Sequence, residues 1–518
     1  MTVQEYIHNR YSKYIQSDIK ENPCIKNGKN DIKYTNYQKF LEDYASSVLV
    51  KERNKGILLY HKVGSGKTIS SILMTEQILQ KGDYKKAIVI LPASLRNNYS
   101  TELEKIKGVK TDNYTFLSYN NPKLDVSDYS FNGKVVVIDE VQNLISMVKN
   151  SSKTGISLYK KLINSDCKII GLSGTPVSNI PYEYAILFNL LRPGSFKLKN
   201  YDFIYDYINL DTYSIKNEEK FYKNIKGLVS YYSGHTNNKD IFPKSSFSLI
   251  KCEFSEKQEK EYLSTLKKIP LSKKKDEEDK YKLLLELNTT EKKLNNFHIN
   301  SRLVCNSIYD SLDEINLDNL LTHSIKYYHI LKNIEKTKGN IVIYSNFINK
   351  GITELEKILQ LKGIENYKWI GGQSDEERKK ILRKFNSTGD TQKVLLISKA
   401  GAEGLSLKNV RQLHILEPHW NVIRTKQIIG RVIRMCSHYS LPKEEQLVDI
   451  FMYLTTLSNS KKQTIDEYIY HISENKLKIL SNFEKNIEKG ALDCKLFISN
   501  NKDVDICFEE EKKILRNI

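Results

Sequence analysis

The stretch from Ile57 to Leu79 restricts the fold of this chain more than any other. A short apolar run, Ile57 to Tyr60, leads into His61-Lys62-Val63-Gly64-Ser65-Gly66-Lys67-Thr68, and apolar residues follow at Ile69, Ile72, Leu73, Ile78 and Leu79. The order is strand, glycine loop, helix, which is the building unit of an α/β sheet. In such a loop, backbone N–H groups and the helix N-terminus converge on a phosphate. Lys67 would then bridge the β- and γ-phosphates of ATP, and the Thr68 hydroxyl would hold Mg²⁺. His61 stands where this loop pattern usually begins with glycine. The bland alternative is a glycine turn that happens to precede Lys-Thr.

A second site lies where phosphoryl chemistry requires carboxylates. Val135-Val136-Val137-Ile138 is a continuous β-branched run, the pattern of a parallel strand buried on both faces. It ends in Asp139-Glu140-Val141-Gln142. Two acids at the end of a buried strand are costly to desolvate unless a cation is near, and Mg²⁺ supplies one. Asp139 is assigned to the metal shell and Glu140 to orienting and deprotonating the attacking water; the alternative has Asp139 merely capping a helix. Downstream, Lys168 to Leu172 reads as another strand, running into the hydroxyl-rich turn Ser173-Gly174-Thr175-Pro176. Placed after the acid pair, that turn is read as an element that senses the nucleotide and signals to a second domain.

Far along the chain, Gln427, Arg431 and Arg434 are spaced to share one face of a helix. Two arginines on one face, with Gly430 permitting close approach, suit bidentate capture of a γ-phosphate and stabilisation of charge during its transfer. An exposed basic helix is the bland reading.

Taken in order, Lys67-Thr68, Asp139 to Gln142, Ser173 to Pro176, Gly401-Ala402-Glu403-Gly404 and Gln427 to Arg434 resemble the motifs of superfamily-two helicases and translocases. More narrowly, the chain resembles the Swi/Snf-related helicases of large cytoplasmic DNA viruses, through Leu91 to Tyr99, Gly227 to Tyr232, His414 to Asn421, Cys436-Ser437-His438 and Ala491 to Cys494. The resemblance runs from about residue 35 to 495. His61 also occurs at this position in the viral group, whereas Gln142 replaces the commoner His. The resemblance implies two RecA-like lobes, ATP turnover with Mg²⁺, and coupling through Gln142, Ser173, Thr175, Gly401 and Gly404. In helicases of this type a glutamine before the phosphate loop reads the adenine edge, since an amide both donates and accepts. Gln38 fits that role, and a surface glutamine is the competing reading. Candidates for gripping nucleic acid are Ser94, Arg96, Asn346 and Ser406. Trp420 is read as core rather than as a base-stacking platform.

The fold expected is therefore α/β, with two RecA-like parallel-sheet lobes, a helical insertion and a helical C-terminal extension. Residues 1–40 form an N-terminal helical segment ending at Tyr37-Gln38, 41–195 the first lobe, 196–325 a helical, charged region between lobes, 326–455 the second lobe, and 456–518 a helical tail packed on lobe two. The mixed-charge run Lys273 to Lys280 is read as a solvated loop or helix face, with a nucleic-acid or subunit contact as its functional alternative. Ser374 and Glu377 have capping-box spacing before a helix running to Phe385.

Composition narrows the partners. With 81 basic and 62 acidic residues the formal charge is +19, which suits a polyanion. Seven cysteines without a CxxC pair argue against a zinc site or a disulfide framework and for a reducing compartment. No apolar run reaches membrane-spanning length and the amino terminus lacks a signal-like apolar stretch, so a soluble intracellular protein is expected, in host cytoplasm or virion if viral. The expected function is ATP-dependent movement on nucleic acid, DNA ahead of RNA, with a viral RNA polymerase or transcription-factor subunit as partner by resemblance. Two other readings stay open: a nucleotide-gated binding clamp without catalysis, and an RNA-directed remodeller.

Overall fold

The computed structural model describes residues 2–15, 24, 34–50, 55–62, 64–81, 84–119, 121, 124–177, 179–233, 241–266, 296–335, 337–387, 389, 391–398, 405–458, 462–498 and 507–508. Val63, Gly401, Gly404 and the charged run 273–280 lie outside the described residues. The chain divides into two units, one of residues 1–239 and 476–518, the other of residues 240–475.

In the first unit the strands are β1 (Gly56–His61), β2 (Lys86–Ile90), β3 (Tyr114–Leu117), β4 (Lys134–Asp139) and β5 (Cys167–Ser173), then a small antiparallel hairpin of β6 (Ile208–Asn209) and β7 (Ser214–Ile215), then β8 (Val229–Tyr232). The main sheet has the order β3-β2-β4-β5-β1-β8, with every pairing parallel. Val135, Val136, Val137 and Ile138 are fully buried, as a strand covered on both faces requires. Each such side chain contributes ~1.5–3 kcal/mol by leaving water. Gly56 permits the closest strand approach, because a Cβ there would lie 2.2 Å from the Ile169 carbonyl oxygen. Register brings Tyr60 beside Ser173 and Asp139 beside Leu172, so β1, β4 and β5 end within two residues of one another.

The second unit holds β9 (Lys244–Glu253), β10 (Asn340–Ser345), β11 (Glu365–Trp369), β12 (Lys393–Ser398), β13 (Val410–Ile415) and β14 (Leu447–Thr456). Their order is β11-β12-β10-β13-β14-β9, again all parallel. The expected capping box is present, Ser374 bonding Glu377 reciprocally at the start of the helix Asp375–Phe385. Deeper in this unit Lys326 and Asp466, both buried, pair at 2.6 Å.

Several expectations are corrected. The region 196–325 is not purely helical, since it supplies β8 to one sheet and β9 to the other. Tyr37 and Gln38 lie inside the helix Asn36–Tyr44 rather than ending a segment. The tail does not pack on the second unit beyond residue 475: Leu492, Leu496 and Phe497 join the core of the first unit with Tyr37 and Phe40. A disulfide also exists, Cys494–Cys507, closing a loop whose Cα atoms are 5.9 Å apart. Spacing rules based on CxxC pairs do not detect such a bond, because tertiary packing brings the two cysteines together.

His414 in β13 yields a pH prediction. Its ring is fully buried, with Nδ1 2.8 Å from Tyr453 Oη, Nε2 3.1 Å from Gln412 Oε1, and Phe451 stacked at 5.2 Å. Burial pushes its pKa down to about 3. The neutral ring belongs to the folded state, so stability is fully present above the unfolded value near 6.5 and is lost as pH falls toward 3. Between pH 6.5 and 4, unfolding of the unmodified chain should lose ~1.4 kcal/mol per pH unit more than His414→Gln does. Parallel pH profiles in denaturant titrations would show that the ring titrates normally.

Candidate active site

β1 carries the chain to the carboxyl edge of the first sheet, where parallel α/β sheets bind ligands. There Gly64 and Gly66 take positive φ values of 85° and 81°, which only glycine adopts without strain. The helix Lys67–Lys81 begins directly after them, so its N-terminal N–H groups face the same space as the loop. Lys67 Nζ lies 2.9 Å from the His61 carbonyl and 3.4 Å from that of Lys62. Ser65 Oγ is buried with no hydrogen-bond partner among the described residues.

His61 contributes its carbonyl to this loop but not its ring. The imidazole is fully buried and turned into the core, with Nε2 2.5 Å from Tyr37 Oη. Burial and the Lys67 charge hold its pKa well below the usual value. Gln38 is buried, which removes the surface-glutamine reading. Its Oε1 accepts from the Thr35 N–H at 2.9 Å in a capping box, while its Nε2 lies against the loop, 2.6 Å from where a Cβ on Gly66 would sit.

Beside this loop, β4 delivers the acid pair. Asp139 is buried, and its Oδ1 accepts from the Glu140 N–H at 3.0 Å. Glu140 has φ +52°, a left-handed conformation that costs a non-glycine residue of order 1–3 kcal/mol. Tyr119 holds the turn, its hydroxyl donating to the carbonyls of Asp139 at 2.7 Å and Glu140 at 3.2 Å. Sequence reading missed Tyr119, which carries no motif signal. Burial, then the neighbouring Glu140 charge, push the Asp139 carboxyl up to about 7 against the pull of Lys67. A buried carboxyl with that handicap, within electrostatic reach of Lys67, fits a hard divalent cation.

The acid pair connects to the next motif through hydrogen bonds. Gln142 Nε2 donates to Glu140 Oε2 at 2.5 Å, and Ser173 Oγ donates to Gln142 Oε1 at 2.7 Å. The Thr175 N–H in turn donates to Ser173 Oγ at 2.9 Å. Amide chemistry allows this because one side chain donates and accepts at once. Gln142 therefore joins the β4 turn to the β5 turn.

In the second unit, Gln427 and Arg431 lie one turn apart on the helix Val422–Val432, which Asn421 caps by accepting from the N–H groups of Ile423 and Arg424. Arg434 is not on that face. The helix stops at Val432 and Ile433 is extended, so the three side chains do not share one helical surface. Instead Arg434 Nη1 donates to the Leu405 carbonyl at 3.0 Å. Burial and the charge of Arg431 lower its pKa. Among the described residues nothing lies within 4 Å of a Cβ built on Gly430.

The grip candidates separate. Ser94, Arg96 and Ser406 are exposed, with Arg96 5.7 Å over the Phe116 ring. Asn346 is already engaged, its Nδ2 3.1 Å from Glu417 Oε1 and its Oδ1 accepting from Tyr344. Glu417, buried and bonded also to Ser345 and Asn306, was not anticipated. Trp420 is core, packed with Phe254, Tyr262 and Ile469. Among the described residues no helix is long and apolar enough to cross a membrane.

Known families match in both units. Residues 325–436 match the helicase conserved C-terminal domain, residues 114–309 the SNF2-related domain, and residues 24–178 the type III restriction enzyme res subunit. A protein of Acanthamoeba polyphaga mimivirus, provisionally named an ATP-dependent RNA helicase, is 31% identical, the match covering 86% of this chain and 96% of that protein. Another mimivirus protein under the same provisional name is 29% identical, covering 96% of this chain and 95% of its own length. The termination factor NPH-I homolog of African swine fever virus is 27% identical, covering 86% of this chain and 77% of that protein. With a relative 31% identical along nearly its whole length, and helicase-domain matches in both units, the chain belongs to the SNF2-related, superfamily-two helicases of large DNA viruses.

Proposed function

We propose that the chain is a nucleic-acid-dependent ATPase that moves along DNA during viral transcription. The observation that carries this reading is the hydrogen-bonded run from Glu140 through Gln142 to Ser173 and Thr175, beside Lys67 and Asp139. A water-activating carboxylate tied to the next motif is the arrangement expected where turnover must be reported elsewhere. In the proposed cycle Lys67 and the N–H groups of the glycine loop bind the phosphates of ATP, and Gln38 faces its base. Thr68 and Asp139 would hold Mg²⁺, which would offset the phosphate charge. Glu140 takes a proton from water as its oxygen attacks the γ-phosphorus and the bond to ADP breaks. Arg431 and Arg434, with Gln427, stabilise the charge on the transferring group when the lobes close. Gly401 and Gly404 belong to the same coupling set.

Closure tied to hydrolysis turns chemistry into relative motion. With Ser94, Arg96 and Ser406 against a phosphate backbone, and Asn346 fixing the turn after β10, that motion becomes stepping. A net charge of +19 favours such a partner. The swine fever virus relative is named a termination factor, which supports a role beside a viral RNA polymerase. The mimivirus relatives are named RNA helicases, and this supports the RNA-directed reading as the second choice.

Turnover by the purified chain should rise strongly with duplex DNA. Lys67→Ala and Glu140→Gln should abolish it, with Glu140→Gln still binding ATP. Stimulation by RNA alone would transfer the function to RNA, and indifference to every polymer would end the motor reading. Arg431→Ala and Arg434→Ala should each lower kcat by ~10³-fold with little change in ATP affinity, as for arginines that act on the transition state. Equal losses in kcat/KM from weakened binding alone would remove them from the chemistry. Polymer affinity should fall with salt on a logarithmic slope of about −0.9 per duplex phosphate contacted.

A further inference from the structure

The root of the phosphate loop is wired to the far end of the chain. Asp493, 432 positions after His61 in sequence and fully buried, accepts from the Tyr231 N–H at 3.0 Å through Oδ1. Its Oδ2 accepts from Ser230 Oγ at 2.6 Å and from Tyr37 Oη at 3.2 Å. Tyr37 and Ser230 are bonded to each other, and both face His61 Nε2, at 2.5 Å and 3.2 Å. The four side chains form one closed polar cluster at the end of β1. Packing seals it: Tyr37 stacks on Tyr232 at 4.1 Å and meets Phe497 edge-on at 5.0 Å. The tail segment that brings Asp493 is itself fastened, by Leu492 N–H to the Val229 carbonyl at 2.8 Å, by Gln4 Nε2 to the Ala491 carbonyl at 2.8 Å, and by the Cys494–Cys507 bond.

Proton bookkeeping gives this cluster a direction. An ionised carboxylate only accepts, so Ser230 gives its proton to Asp493 at 2.6 Å, and the Tyr37 hydroxyl gives its own to Asp493 or to Ser230 Oγ, leaving neither proton for His61. Their oxygens then turn lone pairs toward His61, and Nε2 must carry the imidazole proton. The remaining nitrogen, Nδ1, is buried with no partner among the described residues, so a lone pair sits there at less cost than an N–H. Asp493 thus selects the His61 tautomer through two hydroxyls. Both neighbours of the cluster line the nucleotide site. His61 offers the carbonyl that holds Lys67 Nζ at 2.9 Å, and Tyr37 precedes Gln38, whose amide lies against Gly66.

We infer that Asp493 is a positioning residue for ATP binding, which through Tyr37, Ser230 and His61 fixes the root of the phosphate loop and the helix that carries Gln38. The inference rests on the ATP-site reading above. Burial raises the Asp493 carboxyl to about 6 against the pull of its donors, a cost that an asparagine anchor would avoid. Asparagine keeps the shape and the Oδ1 acceptor, but its amide can donate to the hydroxyls. That reverses the chain and asks for a proton on Nδ1.

The test measures ATP affinity of the full chain by calorimetry, beside its melting temperature, for the unmodified protein, Asp493→Asn, Tyr37→Phe and the double variant. Each single change should weaken ATP binding by about tenfold, the size of one lost charge-assisted or buried hydrogen bond. The double variant should be no weaker than about tenfold, because both changes cut one chain. Affinities within about twofold of the unmodified protein, with lower melting temperatures, would reduce Asp493 to an anchor and overturn the inference. Losses that multiply to about a hundredfold would overturn it as well, since independent contacts add in free energy. Should Asp493→Asn fail to fold, Tyr37→Phe decides by the same limits, as it removes a single oxygen. An unmodified chain that binds no ATP overturns the ATP-site reading and this inference together, whereas failure of the inference alone leaves normal ATP binding that still depends on Lys67.

Discussion

The whole site depends on one constraint: a parallel sheet buried on both faces has no room for polar chemistry except where its strands end. In β4 four consecutive aliphatic side chains are fully buried, so the first polar side chain after them must act at the edge. Asp139 occupies that position, and the register of β1, β4 and β5 steps Asp139, Ser173 and His61 along the edge, each one residue beyond the last. The loop glycines then turn the backbone toward the same edge. Local backbone strain at Glu140 is tolerated because the Tyr119 hydroxyl and Asp139 over-determine the turn.

This constraint also explains which parts of the molecule were legible in the sequence. The glycine loop, the acid pair and the Ser173–Thr175 turn each follow an apolar run long enough to announce a strand, so their chemistry could be placed from the run alone. Arg434 was misplaced because helical spacing extends through it, while the helix actually stops at Val432 with neither proline nor glycine to signal the end. β8 was missed because it is four residues long, and β9 because it is an edge strand with mostly exposed side chains and no clear alternation. The tail was assigned to the wrong unit for a simpler reason. Its decisive bond, Tyr37 to Asp493, joins residues 456 positions apart, and no local pattern encodes such a pairing.

Two buried carboxylates show how the units solve a common problem. Glu417 in the second unit gathers Ser345, Asn306 and Asn346, and so fixes the turn after β10 at the carboxyl edge of that sheet. Asp493 in the first unit gathers Ser230 and the Tyr231 N–H, and so fixes β8 beside β1. In each case a group that can only accept is placed where several donors would otherwise be left facing apolar surroundings. Desolvation raises both carboxyls, and the donors offset part of that cost. An apolar residue would leave the donors unsatisfied, at ~1–3 kcal/mol each.

The candidate site residues of the two units differ in what holds them. Lys67, Glu140 and Gln142 hold defined geometry through short bonds within their own unit, so their orientation is set before any ligand arrives. Arg431 stands on the helix Val422–Val432, and Arg434, past its end, donates to the Leu405 carbonyl. In the proposed reaction a carboxylate oriented in advance lowers the cost of positioning water, because its neighbours and not the ligand fix its geometry.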